Sequence, residues 1–201
     1  MSEKKGMNLP NKLTVSRIIL TPFCIAFIML KDFSWSAPIG AFFFLLIALT
    51  DMLDGKIARK YNLITDFGKF LDPLADKFLV VGSYLALIYR VEGYLKLALV
   101  ILTVLTVFRE FTVSSLRLIV NQKQSIVVPA NIYGKVKTVS QMVFVVAFLV
   151  EPILVSLLGG PEMLITFPPI STLAYAVTVV FTLLSGWIYF KSYFPYISSD
   201  R

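Results

Sequence analysis

Residues 37–59 read APIGAFFFLLIALTDMLDGKIAR, an apolar run that ends in Asp51 and Asp54, and residues 68–76 read GKFLDPLAD, which adds Asp72 and Asp76. A membrane-crossing helix needs about 20 mainly apolar residues, and residues 37–57 supply them with two carboxylates at one end. Acids beside a hydrocarbon layer are costly unless something cationic compensates them, so they mark a functional site in a chain otherwise built for lipid.

The rest of the 201 residues agrees with that reading. The chain is 57% hydrophobic and 15% charged, with a mean hydropathy of +0.80, outside the range of a soluble domain. Apolar stretches recur at 13–30, 37–57, 67–89, 95–120, 136–158 and 170–190. The expected fold is all-α: a polytopic membrane protein of six transmembrane helices forming a single catalytic domain over 1–201, with 1–12 as a juxtamembrane segment. Lysines followed by an apolar stretch resemble a signal peptide, but no small-residue cleavage site follows Leu30, so the first stretch is expected to be retained. The single cysteine, Cys24, excludes a disulfide framework and a thiolate metal site. With no histidine, acid–base chemistry falls to carboxylates, lysine, tyrosine or water.

Charge placement sets the expected orientation. Sixteen of the nineteen basic residues fall in the N-terminal segment, the 51–77 and 109–137 regions and the tail, whereas Lys31, Arg90 and Lys96 fall on the opposite side. By the positive-inside rule both termini and the aspartates are then cytoplasmic. For most of these cations topology is a sufficient explanation, and no nucleic-acid partner is expected.

If the second span stays helical past Thr50, Asp51, Asp54, Gly55 and Ala58 share one face at i, i+3, i+4 and i+7. Gly68, Asp72 and Asp76 do the same on the next helix at i, i+4 and i+8. Four carboxylates held together repel unless cations neutralise them. Oxygen donors without His or Cys point to Mg²⁺ or Mn²⁺, and two such ions suit a phosphoryl-type displacement at a pyrophosphate. The bland alternative is solvated helix ends paired with Lys56, Arg59, Lys60, Lys69 or Lys77. It fits Asp66, beside a capping Thr65, better than it fits the other four acids. Pro73 predicts either a kinked third helix or one that begins near Asp72.

At these residues the chain resembles the CDP-alcohol phosphotransferase family, whose signature D-x2-D-G-x2-A-R-x8-G-x3-D-x3-D is matched by Asp51, Asp54, Gly55, Ala58, Arg59, Gly68, Asp72 and Asp76. The resemblance implies six transmembrane helices, a homodimer and a cytoplasm-facing site with two metal ions. It implies Asp51, Asp54, Asp72 and Asp76 as metal ligands and Asp76 also as the general base. Asp54, Gly55, Ala58, Arg59 and Gly68, with Asn11 and Arg17 from the first span, would contact the CDP part of CDP-diacylglycerol, and CMP would leave. For Asn11, helix capping after Pro10 is an alternative account.

The acceptor is read from the fourth and fifth spans. Arg109 and Arg117 are separated by roughly 80° around a helix, and Lys135, Lys137, Thr138 and Gln141 follow Gly134. Such a basic pocket suits a phosphate handle, hence glycerol 3-phosphate, although positive-inside anchoring or a salt bridge with Glu110 also accounts for the arginines. Lys135 and Lys137, two residues apart, cannot share a helix face, so at most one of them touches the phosphate. The segments 8–17, 109–117 and 134–138 are similar to those of family members that use this acceptor. Inositol phosphate, serine or phosphatidylglycerol are the near alternatives as acceptor; a prenyltransferase and a divalent-cation carrier are the distant ones. Tyr189, Tyr193 and Tyr196 are expected to be interfacial anchors, and the last span and residues 151–169 carry no evident chemistry.

Overall fold

The computed structural model describes residues 7–61, 65–124, 132–166 and 168–198. The chain divides into two compact units, Met1–Glu92 and Gly93–Arg201.

The first unit holds α1 (Leu9–Met29), α2 (Ser36–Lys60) and α3 (Asp66–Arg90). Helix α1 begins at Leu9, ahead of the expected apolar stretch. The Asn8 side chain accepts from the Asn11 backbone N–H at 3.1 Å, and Pro10 sits in the first turn, where its missing donor costs nothing. The cap is therefore Asn8, which corrects the capping account of Asn11. Helix α3 starts at Asp66 behind Thr65, whose side chain accepts from the Gly68 N–H at 3.0 Å. It continues as one helix through Pro73, so the expected alternative start at Asp72 is not taken.

Helix α1 packs along both α2 and α3, which meet each other much less. Its buried positions are Asn11, Thr14, Arg17, Thr21, Cys24 and Ile28, a stripe of mostly small or polar groups, while Ile19 and Phe23 lie exposed on the outside. This reverses a soluble amphipathic helix and is the pattern expected in lipid, where hydrocarbon solvates apolar side chains and polar or small ones hold helices together. Close approach follows where glycine permits it. A Cβ on Gly40 would lie 2.8 Å from Ile28 Cγ1, and the Gly40 carbonyl accepts from the Cys24 thiol at 3.5 Å. At the other end of the unit, Arg90 donates to the Ile28 carbonyl and the Ser36 hydroxyl, both at 3.1 Å, tying the α1–α2 connection to the end of α3.

The second unit holds α4 (Gly93–Gln124), α5 (Ile132–Leu157), the short α6 (Glu162–Thr166) and α7 (Pro169–Ser198). Helices α4 and α5 pack on α7. Gly93 and Gly159 adopt φ of 64° and 66°, the left-handed region that favours glycine, where the chain turns. Tyr189 and Tyr193 are 3% and 1% exposed and share a core with Val113, Leu116 and Val120. They are not interfacial anchors: their rings stack at 5.9 Å against the inner face of α4. The Tyr196 side chain lies outside the described residues.

Among the described residues, Leu9–Met29, Ser36–Ile57, Gly93–Val120, Ile132–Leu157 and the Glu162–Phe194 stretch are long and apolar enough to cross a membrane. Helix α3 has 25 residues but crowds Asp66, Lys69, Asp72, Asp76 and Lys77 into its first half, so apolar sequence dominates only the second. The protein is all-helical in its described residues and is built as an integral membrane protein.

One buried acid, Glu151, has a structural task. Its carboxylate accepts from the backbone N–H groups of Ile170 and Ser171 at 2.8 and 2.7 Å and from the Ser171 hydroxyl at 2.6 Å. These are first-turn donors of α7, which have no partner within their own helix, and a negative charge there is favoured by the helix dipole. Glu151→Ala should lower stability by roughly 2–3 kcal/mol, read as a drop in unfolding temperature in detergent, with Glu151→Gln losing less because its amide oxygen still accepts.

Candidate functional site

Helix α2 carries Asp51 and Asp54 one turn apart, and α3 carries Asp72 and Asp76 one turn apart. The side chain that gathers three of them comes from α1. Arg17, 2% exposed, pairs through Nη1 with Asp51 and through Nη2 with Asp54 at 2.8 Å and Asp72 at 3.4 Å. Thr14, one turn earlier on α1, donates to Asp72 Oδ1 at 2.7 Å. Asp54 is buried, whereas Asp51 and Asp72 are partly open to solvent. Asp76 is half-buried one turn beyond Asp72.

The sequence spacing shows two acids on one face of each of α2 and α3, and not what lies between the two helices. In the structure α1 mediates, because the burial of Arg17 between them needs acids from both sides. Among the described residues one guanidinium meets three carboxylates, which leaves an excess of negative charge there. Among the described residues no three acids lie close enough, as they stand, to ligate one ion. The donor chemistry nevertheless fits a hard divalent cation: carboxylate oxygens that already converge on one positive group, with excess charge and no histidine or thiolate among them.

Asn11 is buried on the same face of α1 as Arg17, and its Oδ1 accepts from the Thr65 hydroxyl at 3.0 Å. A Cβ on Gly68 would lie 2.9 Å from Asn11 Oδ1 and 3.3 Å from Thr65 Oγ1. The small residue at 68 thus lets the start of α3 close over α1, a packing reason beside the expected nucleotide one. Gly55 follows Asp54 on α2 and is half-buried. Ala58 and Arg59 lie in α2, but their side chains are outside the described residues.

In the second unit the expected basic residues are partly gathered. Glu110, the one acid in α4, accepts from Arg109 Nη1 at 2.8 Å and from Lys137 Nζ at 2.6 Å. Lys137 is 5% exposed whereas Lys135 is exposed, as two positions that cannot share a helix face require. The salt-bridge account of Arg109 is therefore part of the answer. Arg109 also donates from Nε to the Ser185 hydroxyl at 3.1 Å, and Arg117 donates to the Tyr189 hydroxyl at 2.7 Å. No sequence signal links Ser185 or Tyr189 to the arginines, which lie 76 and 72 residues away in the chain. Gln141, buried on α5, donates to the Thr106 hydroxyl at 3.2 Å and serves packing between α4 and α5.

Comparison with known proteins places these residues in a family context. The family model for CDP-alcohol phosphatidyltransferase matches residues 7–188. The chain is similar to the protein named CDP-diacylglycerol--glycerol-3-phosphate 3-phosphatidyltransferase from Bacillus subtilis, 42% identical over 196 residues that cover 92% of this chain and 94% of the relative. A protein of the same name from Rickettsia felis is 34% identical over 92% of this chain and 94% of its own length. Another from Salmonella typhimurium is 38% identical over 72% of this chain and 78% of its own. With the aspartate motif intact and the match running over nearly the whole chain, this protein belongs to the CDP-alcohol phosphatidyltransferase family.

Proposed function

We propose that this chain transfers the phosphatidyl group of CDP-diacylglycerol to glycerol 3-phosphate, giving phosphatidylglycerophosphate and CMP, as the names of its relatives describe for them. The observation that carries the reading is the convergence of acids from α2 and α3 on one buried cation of α1, in a chain that matches the whole aspartate motif. Six spans with both termini and the site cytoplasmic, in a homodimer, complete the proposal.

Asp51, Asp54, Asp72 and Asp76 would hold two divalent ions, Mg²⁺ or Mn²⁺. When bound, such ions supply charge neutralisation for the pyrophosphate oxygens. The acceptor hydroxyl loses its proton to the Asp76 carboxylate as its oxygen bonds to the phosphorus of the phosphatidyl group. The bond from that phosphorus to the bridging oxygen breaks, and CMP departs with the electron pair. Gly55, Ala58 and Gly68 keep the backbone open to the nucleotide, while Arg59, Arg17 and Asn11 serve its polar groups. In the second unit Arg109 and Arg117 take the acceptor phosphate, a role supported by the cationic excess over Glu110. Of the lysines, Lys135 is exposed and Lys137 already pairs with Glu110, which favours Lys135 for any direct contact.

The defining experiment is CMP release by detergent-purified protein with CDP-diacylglycerol and Mg²⁺, with and without glycerol 3-phosphate. Release only with that acceptor is expected; release with inositol phosphate, serine or phosphatidylglycerol instead would reassign the acceptor. Asp76→Asn should abolish turnover while CDP-diacylglycerol binding survives, and a variant that kept most of its rate would remove the general-base role. Arg109→Ala and Arg117→Ala should each raise KM for glycerol 3-phosphate about ten-fold or more, with little change in KM for the lipid nucleotide. Equal effects on both substrates would count against the pocket.

Arg17→Met removes the guanidinium that buried Asp54 pairs with and should cost about 3 kcal/mol in chelator. Added Mg²⁺ should then raise the unfolding temperature of the variant more than that of the unaltered protein, because ion and guanidinium neutralise the same carboxylates. An equal rise in both would place the ions elsewhere.

A further inference from the structure

The arginine pair of α4 rests on a shelf built by α7. Ser185, Gly186 and Tyr189 fall within one turn and a residue of each other on that helix. Ser185 accepts from Arg109 Nε, and a Cβ on Gly186 would sit 3.3 Å from Arg109 Cγ, so the glycine lets the arginine stem lie against the α7 backbone. The Tyr189 ring lies under both guanidinium groups, 5.5 Å from that of Arg109 and 5.0 Å from that of Arg117. Its hydroxyl accepts from Arg117 Nη2 at 2.7 Å. On α5, Gly134 completes the arrangement: a Cβ there would lie 3.6 Å from Arg109 Nη2 and 3.8 Å from the Tyr189 hydroxyl.

Two like charges that both approach one aromatic ring repel each other, and a long arginine side chain has many rotamers to lose. An aromatic face offsets the repulsion, because its negative quadrupole attracts both cations. A phenol oxygen bonded to one guanidinium fixes its rotation. Tyr189 is itself held rigid by burial and by the stacked Tyr193 ring. A lone structural tyrosine would need neither the hydroxyl contact nor a second arginine over its ring.

We propose that Tyr189 is a positioning residue for the acceptor phosphate: it holds Arg117, and through its ring Arg109, in the geometry that a phosphate handle requires before the ligand arrives. This rests on the reading of Arg109 and Arg117 as the acceptor-phosphate groups. Preorganised donors lose less freedom on binding, so the gain belongs to affinity for the phosphorylated acceptor and not to the lipid nucleotide.

The experiment measures initial rates of CMP release by the full-length protein carrying Tyr189→Phe, with each substrate varied in turn. The phenylalanine keeps the ring and its packing and removes the hydroxyl acceptor. KM for glycerol 3-phosphate should rise roughly three- to ten-fold, while KM for CDP-diacylglycerol stays within about two-fold. In the Arg117→Ala background the same substitution should add almost nothing, because the two residues act through one another. An unchanged KM for glycerol 3-phosphate in Tyr189→Phe, beside a raised one in Arg117→Ala, would overturn the role of Tyr189 and leave the pocket standing. Unchanged values in both would overturn the pocket assignment itself. Parallel rises for both substrates, or full additivity with Arg117→Ala, would make Tyr189 a packing residue only.

Discussion

The burial of one guanidinium between acids from two helices is the constraint on which the first unit depends. Arg17 is 2% exposed and Asp54 3%, so neither can be left without the other. Removing either partner from a buried pair strands a charge, although an apolar replacement of the whole cluster would be no less stable. What the pair supplies is register. Lipid gives helices no hydrophobic reason to associate, so the depth of α1 against α2 and α3 is set by directional contacts: Arg17 with Asp51, Asp54 and Asp72, Thr14 with Asp72, and Cys24 with Gly40. A shift of α1 by one residue would rotate Arg17 by about 100° and take it away from the acids.

The second unit solves the same problem with different parts. Glu110 joins α4 to α5 through Lys137, Tyr189 and Ser185 join α4 to α7, and Glu151 joins α5 to the first turn of α7. Each acid there sits where a helix end or a cation demands one. Glu151 is satisfied by backbone donors and a hydroxyl, which makes it structural. Glu110 instead pairs with two side-chain cations, Arg109 and Lys137.

Much of this was legible beforehand, and for identifiable reasons. Bilayer thickness forces apolar runs of fixed length, so the long helices among the described residues follow the apolar stretches, five of them long and apolar enough to cross a membrane. The aspartates were visible because acids at helical spacing are rare in such runs, and Thr65 announced the start of α3 through local chemistry alone. Pairing across 34 to 55 residues leaves no local trace, which is why the meeting of Arg17 with three acids is not legible in the sequence. An aromatic residue near the end of an apolar helix reads the same whether it meets headgroups or a neighbouring helix. Tyr189 and Tyr193 carry that ambiguity, and in the structure they fill a core with Val113, Leu116 and Val120 of α4.

Under the proposed function, the charge left over in each cluster among the described residues suits a ligand of the opposite sign. A structural ion pair evolves toward closure, since uncompensated charge near hydrocarbon is expensive. Around Arg17, among the described residues, three carboxylates meet one guanidinium, leaving an anionic excess suited to cations. Around Glu110, Arg109 and Lys137 meet one carboxylate and Arg117 stands beside them on a neutral tyrosine, leaving a cationic excess suited to an anion. A reaction between an anionic nucleotide lipid and an anionic acceptor needs both kinds of excess. The lipid's pyrophosphate must be neutralised for attack, and the acceptor's phosphate must be held although it repels that pyrophosphate. Under the proposed function the acids of the first unit would serve the lipid's pyrophosphate through the ions they hold, and the cations of the second unit would serve the acceptor's phosphate.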